Sequence, residues 1–117
     1  MLKKLYLLLL LFFTPFLTTQ ALAGACTDIT ADDATTTISA DCTDLDISGD
    51  DTTTTINSGV TVSTTGGNEA LTYPSTSTGG YITNNGTIQS LNNDGLTLRG
   101  GLIELNNTGT ITADGTR

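Results

Sequence analysis

Short repeated units of threonine, asparagine and glycine constrain this chain more than any other feature of its sequence. Thr-Thr-Thr-Ile stands at 35–38 and returns at 53–56, 18 residues later. Ile-Thr-Asn-Asn-Gly-Thr-Ile stands at 82–88 and returns at 105–111 as Leu-Asn-Asn-Thr-Gly-Thr-Ile, 23 residues later. Such periods are typical of repeat architectures, in which each unit buries its apolar face against its neighbours. The spacing predicts a β-solenoid with one coil per repeat.

Each unit combines a turn with a strand. Asn and Gly tolerate the left-handed conformation of a tight turn, and the residues that follow re-enter an extended state. Looser copies stand at 56–62 and 91–98. We expect the apolar side chains to face a narrow interior, namely Ile82, Ile88, Leu98, Leu105 and Ile111. We expect the threonines beside them to lie outside, namely Thr83, Thr87 and Thr97.

The composition after residue 23 favours strands over helices. Thr accounts for 23 of these 94 residues, and the aromatic side chains are Tyr73 and Tyr81 alone. Few large apolar groups are available for a compact core, whereas β-branched Thr suits extended backbone. The predicted strands are 36–39, 45–47, 54–57, 59–63, 81–83, 87–89, 96–98, 102–105 and 110–112. β-Hairpins at the Asn-Gly turns, and disorder, are the alternatives to stacked coils.

Residues 1–23 have the pattern of a secretory signal peptide. A short basic start is followed by an apolar run at 5–17 and by a small-x-small triplet at 21–23. The run is shorter than the roughly 20 residues of a membrane-spanning helix. Cleavage is predicted between Ala23 and Gly24, with the bond after Ala25 as the alternative. The predicted organisation is a helical signal peptide at 1–23 and one domain at 24–117.

Cys26 and Cys42 are the only cysteines. An even pair in an exported chain predicts a disulfide, and closing a loop of about 15 residues stabilises a fold by about 3 kcal/mol in the chain-entropy model. The alternative is a lipid on Cys26, because 22–26 loosely resembles a bacterial lipobox. No Cys-x-x-Cys pair and no histidine are present, so no redox or metal role is assigned and no cofactor is expected.

The charge and the residue types exclude several functions. After residue 23 the chain has twelve acidic residues and two basic ones, Arg99 and Arg117, so its net charge is 2 − 12 = −10. A negative charge of this size repels the phosphate backbone and argues against a nucleic-acid partner. Without histidine there is no Ser-His-Asp or Cys-His arrangement. The acid pairs at 32–33 and 50–51 lie in Thr-rich turns, where we expect them to be solvated. No catalytic residue is assigned, and we expect no enzyme in this segment.

The signal peptide, the cysteine pair and the repeats at 82–88 and 105–111 together resemble the start of a Gram-negative autotransporter passenger domain. The resemblance implies a right-handed parallel β-helix, export by the type V route through the periplasm, and display at the cell surface or outer membrane or release from it. It implies adhesin-type partners, such as a host-cell surface, extracellular matrix or a glycan. It also implies a C-terminal outer-membrane β-barrel, which this sequence lacks. The expectation is therefore an N-terminal fragment whose β-helix is incomplete at its C-terminal end.

Two other functions are also compatible with the sequence. Flat threonine arrays, suggested by Thr-x-Thr at 35–37, 53–55 and 110–112, would suit ice or carbohydrate. A polysaccharide-active β-helix enzyme could also begin with such a segment, its catalytic residues lying beyond Arg117. The segment 73–80 interrupts the repeats and is predicted to be a surface loop, with Tyr73 as an exposed contact if the loop binds a ligand.

Overall fold

The chain is all-β in the computed structural model, which describes residues 23–64 and 66–114. No helix occurs in these two ranges. The helical signal peptide predicted for 1–23 lies outside them, apart from Ala23. The strands are β1 (Gly24–Ala25), β2 (Thr35–Ile38), β3 (Cys42–Thr43), β4 (Leu45–Asp46), β5 (Thr53–Ile56), β6 (Thr61–Thr64), β7 (Leu71–Tyr73), β8 (Tyr81–Asn84), β9 (Thr87–Ser90), β10 (Leu96–Leu98), β11 (Glu104–Asn107) and β12 (Thr110–Ala113).

The strands form three sheets, and neighbouring strands in each sheet are parallel. Sheet 1 has the order β1-β3-β6-β9-β12, sheet 2 has β4-β7-β10, and sheet 3 has β2-β5-β8-β11. The chain passes through sheets 1, 2 and 3 in that order and then returns to sheet 1. We call each passage a circuit: circuits 1 to 4 cover 24–41, 42–60, 61–86 and 87–109, and circuit 5 begins with β12. In circuit 1, a parallel bridge between Ile29 and Ile47 takes the place of a sheet 2 strand.

The two strongest sequence repeats give the observed register. Thr35–Ile38 pairs residue by residue with Thr53–Ile56. Ile82 pairs with Leu105, and Ile88 pairs with Ile111. The parallel pairing of these repeats is compatible with stacked coils, and it differs from the hairpin alternative, which requires antiparallel strands.

The two looser repeats agree with the observed register only in part. Val62 pairs with Ile88, as the copy at 56–62 predicts. Ile56 pairs with Asn84, two residues beyond the predicted partner Ile82, because the corner that follows β5 is two residues longer than the corner that follows β8. The copy at 91–98 is not equivalent to the others at all. Its strand, Leu96–Leu98, belongs to sheet 2 and pairs with Leu71–Tyr73.

A narrow core runs between the three sheets. Ile82 and Ile88 are fully buried, as predicted. Leu98, Leu105 and Ile111 are half-buried and pack against this core. The buried apolar residues are Ile29, Ile38, Cys42, Leu45, Ile47, Ile56, Val60, Val62, Ala70, Leu71, Tyr73, Ile82 and Ile88. The predicted outer threonines, Thr83, Thr87 and Thr97, are half-buried and alternate along their strands with the residues of the core.

The segment 74–80 connects β7 to β8 as a loop, in agreement with the prediction, but Tyr73 itself lies in β7 and is buried, so the prediction of an exposed tyrosine is wrong. The side chain has no exposed surface, and its hydroxyl hydrogen-bonds the carbonyl oxygens of Gly49 (3.2 Å) and Thr78 (3.1 Å). A Cβ at Gly80 or at Gly100 would fall within 3 Å of the tyrosine ring, so both positions leave room for it. Residues 75, 76 and 78 of this loop are exposed, and residues 66–68 form another exposed stretch earlier in circuit 3.

The corner between sheets 2 and 3 repeats one backbone conformation in four successive circuits. Asp33, Asp51 and Gly79 have φ values of 55°, 51° and 74°, and Leu102 has 55°. Asp and Gly adopt this left-handed conformation readily, whereas leucine is strained in it. Leu102 is also 90% exposed, so no burial of its side chain offsets that strain.

Candidate functional site

The outer side of sheet 3 carries a regular array of threonines, which we call the threonine face. The parallel register aligns Thr35, Thr53, Tyr81 and Glu104 in one column. A second column contains Thr37, Thr55, Thr83 and Asn106. Neighbouring strands lie about 4.8 Å apart, and alternate residues of one strand lie about 6.7 Å apart. Five threonine side chains therefore form a flat grid across three circuits.

Alternation along each strand explains why these side chains face outward. Ile38, Ile56 and Ile82 point into the core, and residues one position away in an extended strand point to the opposite side. Tyr81 lies within the grid and is 39% exposed. Hydroxyl groups can donate and accept hydrogen bonds, and the exposed ring adds a surface for stacking. The threonine face can thus contact a flat, hydroxylated or hydrated surface of regular spacing.

Thr110 and Thr112 do not join this grid. They lie in sheet 1, where Thr110 continues the column of Thr61 and Thr87. Thr112 pairs with Gln89, and the longer glutamine side chain interrupts the array. Sequence reasoning missed the third row of the threonine face because Tyr-Ile-Thr at 81–83 does not repeat the Thr-Thr-Thr of the first two rows.

The structure contains the predicted disulfide between Cys26 and Cys42, with 4.8 Å between the two Cα atoms. It joins the residue after β1 to the first residue of β3, and the Cys26 N–H also donates to Thr43 O (2.7 Å). The disulfide therefore fastens circuit 1 to circuit 2. A thioether-linked lipid on Cys26 is incompatible with this bond, because both would use the same sulfur atom.

The predicted cleavage site lies immediately before β1. Gly24 is the first residue of that strand and pairs with Cys42, while Ala23 precedes it. Cleavage at this bond stays a prediction. A cavity of about 580 Å³ lies at the same end of the fold, lined by residues 24–31, 34 and 36–42. Its lining residues belong to circuit 1 and to the first residue of β3.

The acid pairs have a structural role at the corner between sheets 2 and 3. The Asp50 N–H donates to Asp32 Oδ1 (2.9 Å), and the Thr78 N–H donates to Asp50 Oδ1 (2.8 Å). These bonds link circuits 1, 2 and 3. Asp32, Asp33 and Asp51 are exposed, as expected, but Asp50 is half-buried. In the part of the chain that the structure describes, no three His, Cys, Asp or Glu residues are grouped to hold a metal ion.

Asp46 lies beside another carboxylate. The bridge between Ile29 and Ile47 brings the preceding residues Asp28 and Asp46 side by side on neighbouring strands. Desolvation by burial raises the pKa of Asp46, and repulsion from Asp28 raises it further, while a backbone hydrogen bond from Ile47 acts in the opposite direction. Ionisation of Asp46 is therefore less favourable in the folded protein than it is for an ordinary aspartate.

Comparison with protein-family models, with curated proteins and with solved structures gives no match to this chain. Among the residues that the structure describes, no helix has the length and apolar character needed to cross a bilayer.

Proposed function

We propose that this chain is an exported structural segment of a bacterial surface protein, folded as a right-handed parallel β-helix of the kind found in Gram-negative autotransporter passenger domains. The observation that carries the proposal is the repeated passage of the chain through three parallel sheets, with each circuit hydrogen-bonded to the next. A fold of this kind extends by adding circuits and forms a rod. The leader pattern at 1–23 and the disulfide support export to an oxidising compartment.

The role of such a segment is spacing and display. Circuits are joined by backbone pairing and by side-chain hydrogen bonds, such as the Asp50 N–H to the Asp32 carboxylate and the Asn84 side-chain amide to that of Asn107. These contacts suit a rigid stalk that holds an adhesive surface away from the cell. The partner would be a host-cell surface, extracellular matrix or a glycan.

Export and processing can be tested together. The full chain would be produced in a Gram-negative host, and the protein recovered outside the cytoplasm would be analysed by N-terminal sequencing and by intact mass with and without reductant. We expect a first residue of Gly24 and a mass that rises by two hydrogens on reduction. The matched control is the double variant Cys26→Ser, Cys42→Ser, whose mass should not change with reductant. Retention of residues 1–23 on a cytoplasmic protein, or a lipid mass on Cys26, would contradict the proposal.

The threonine face supports a second candidate function, binding to ice or to an ordered polysaccharide. The observation that favours it is the alignment of Thr37, Thr55 and Thr83 in one column beside Thr35 and Thr53 in the other. A regular hydroxyl grid can match a regular hydroxylated surface over many weak contacts at once.

This second function can be tested with a charged side chain placed inside the grid. Thr55→Arg should abolish thermal hysteresis or co-sedimentation with insoluble cellulose or chitin, because a long cation prevents flat contact. Thr97→Arg is the matched control, since Thr97 lies on the outer side of sheet 2. No activity in the unaltered protein, or equal activity in both variants, would eliminate the threonine face as a binding site.

A further inference from the structure

Asn85–Gly86 is the only Asn-Gly pair in the sequence. Asn-Gly is chemically labile because the backbone nitrogen of the following residue can attack the side-chain amide, and glycine offers no Cβ to obstruct that attack. The pair lies at the corner between sheets 3 and 1, where circuit 3 passes between circuits 2 and 4. The contacts made on its two sides determine whether the reaction can occur.

Contacts with circuit 2 and with Asn84 hold the attacking nitrogen. The Gly86 N–H donates to Asn84 Oδ1 (3.1 Å), and the Asn85 N–H donates to Ile56 O (3.0 Å). Gly86 is buried, and a Cβ there would lie 2.6 Å from Asn57 O. The peptide therefore has no room to rotate toward the Asn85 side chain.

Contacts with circuit 4 fix the side-chain amide of Asn85, whose carbon Cγ is the atom that the nitrogen would attack. Thr108 Oγ1 donates to Asn85 Oδ1 (2.8 Å), which directs the side-chain amide of Asn85 toward circuit 4. Gly109 lies directly on the peptide between Asn85 and Gly86, since a Cβ at Gly109 would be 2.9 Å from both Asn85 C and Gly86 N. Circuit 4 thus covers the bond that would react.

The side chain of Asn84 strengthens this arrangement. Its Nδ2 donates to Asn107 Oδ1 (2.8 Å) and to Thr110 O (3.2 Å), while its Oδ1 accepts from Gly86 N. Asn84 is fully buried. One side chain therefore connects the attacking nitrogen to the stacking of circuits 4 and 5.

We propose that Asn85–Gly86 is a deamidation site that the stacking of circuit 4 keeps closed and that opens when circuit 4 separates. In the open state Gly86 N loses its proton to solvent and bonds to Asn85 Cγ, and the Cγ–Nδ2 bond breaks with release of ammonia. Water then adds to one of the two carbonyls of the succinimide and opens the ring. The products are aspartate or isoaspartate at residue 85.

Isoaspartate, one of the two products, makes the opening irreversible. Isoaspartate routes the backbone through the side-chain carbon and lengthens the corner by one methylene. Gly109 fits against Gly86 with no spare space, so the lengthened corner no longer accepts circuit 4. In a molecule that forms isoaspartate, the separation of circuit 4 would therefore leave a permanent covalent change at residue 85.

The test is a time course of deamidation in the full chain, in mildly alkaline buffer with and without urea, read by peptide-mapping mass spectrometry. We expect the reaction at Asn85 to be at least about tenfold slower in the folded protein than in urea, because it requires local opening. Thr108→Val removes the hydroxyl that bonds Asn85 while keeping the branched shape, and Gly109→Ala pushes circuit 4 away. Both should accelerate the reaction in the folded protein and leave its rate in urea unchanged.

Two controls separate local opening from general destabilisation. Thr97→Val changes a threonine of circuit 4 on the outer side of sheet 2 and should leave the rate unchanged. Asn57, which precedes Ser58 at the preceding corner of the same edge, is an internal reference for global unfolding. Equal rates at Asn85 in buffer and in urea, no acceleration by Thr108→Val, or a proportional acceleration at Asn57 would each overturn the proposal.

Discussion

Replacing Ile88 by alanine tests the inward face of sheet 1 most directly. Ile88 has no exposed surface and lies in register between Val62 and Ile111. Three carbons are removed, which costs about 2.4 kcal/mol at 0.8 kcal/mol for each. Val62 and Ile111 are held by their strands and can close the cavity only in part, so about 1 kcal/mol is added. We therefore expect Ile88→Ala to lower the free energy of unfolding by about 3–4 kcal/mol.

The matched control is the neighbouring residue on the opposite face. Thr87→Ala should cost about 0.5 kcal/mol or less, as a change on the outer side of the same strand. Ile111→Ala should fall between the two, because Ile111 is only half-buried. Urea unfolding of the full chain, followed by circular dichroism, gives all three values, with the slope checked for constancy. Equal costs at Ile88 and Thr87, or a larger cost at Thr87, would show that the inward face is assigned incorrectly.

Three further substitutions should stabilise the protein, as measured by the same urea titration. Thr54→Val should raise the free energy of unfolding by about 1–2 kcal/mol, because Thr54 Oγ1 is buried without a hydrogen-bond partner among the described residues. A lower free energy of unfolding would show that this hydroxyl does form a hydrogen bond. Leu102→Asn should raise the free energy of unfolding by about 1 kcal/mol, because asparagine tolerates the left-handed backbone conformation better than leucine does. An unchanged free energy of unfolding would argue against that conformation. Asp46→Asn should stabilise at neutral pH, since a raised folded pKa means that the stability linked to Asp46 is lost as pH rises through it. That gain should vanish below the ordinary carboxyl pKa of about 4, and a gain independent of pH would contradict the charge argument.

The sequence predicts the register wherever successive circuits have corners of equal length. Thr-Thr-Thr-Ile at 35–38 and at 53–56 pair as the repeat indicates, and 82–88 pairs with 105–111 for the same reason. Between circuits 2 and 3 the prediction holds for Val62 with Ile88 but fails for Ile56, because the corner after Ile56 is two residues longer than the corner after Asn84. Sequence similarity alone does not show where such extra residues are placed.

Short strands and a buried tyrosine also limit what can be predicted from the sequence. β1 and β3 contain two residues each, too few for an alternating pattern to be recognised. The segment 73–80 interrupts the repeats, and this interruption conceals that Tyr73 ends a strand and lies in the core of circuit 3. In the candidate site, the disulfide and two rows of the threonine face were predicted from the residues, while the row containing Tyr81 became visible only through strand pairing.

The pairing of strands between consecutive circuits has a consequence for how the gene of such a protein can change. Because the described strands pair only with strands of the preceding or following circuit, duplication of a whole circuit creates a new interface of the kind already present on both sides. The identical segments at 35–38 and 53–56 have the pattern expected after duplication of a circuit by unequal crossing-over. Selection on such a protein can then adjust its length in whole circuits, without redesigning a core.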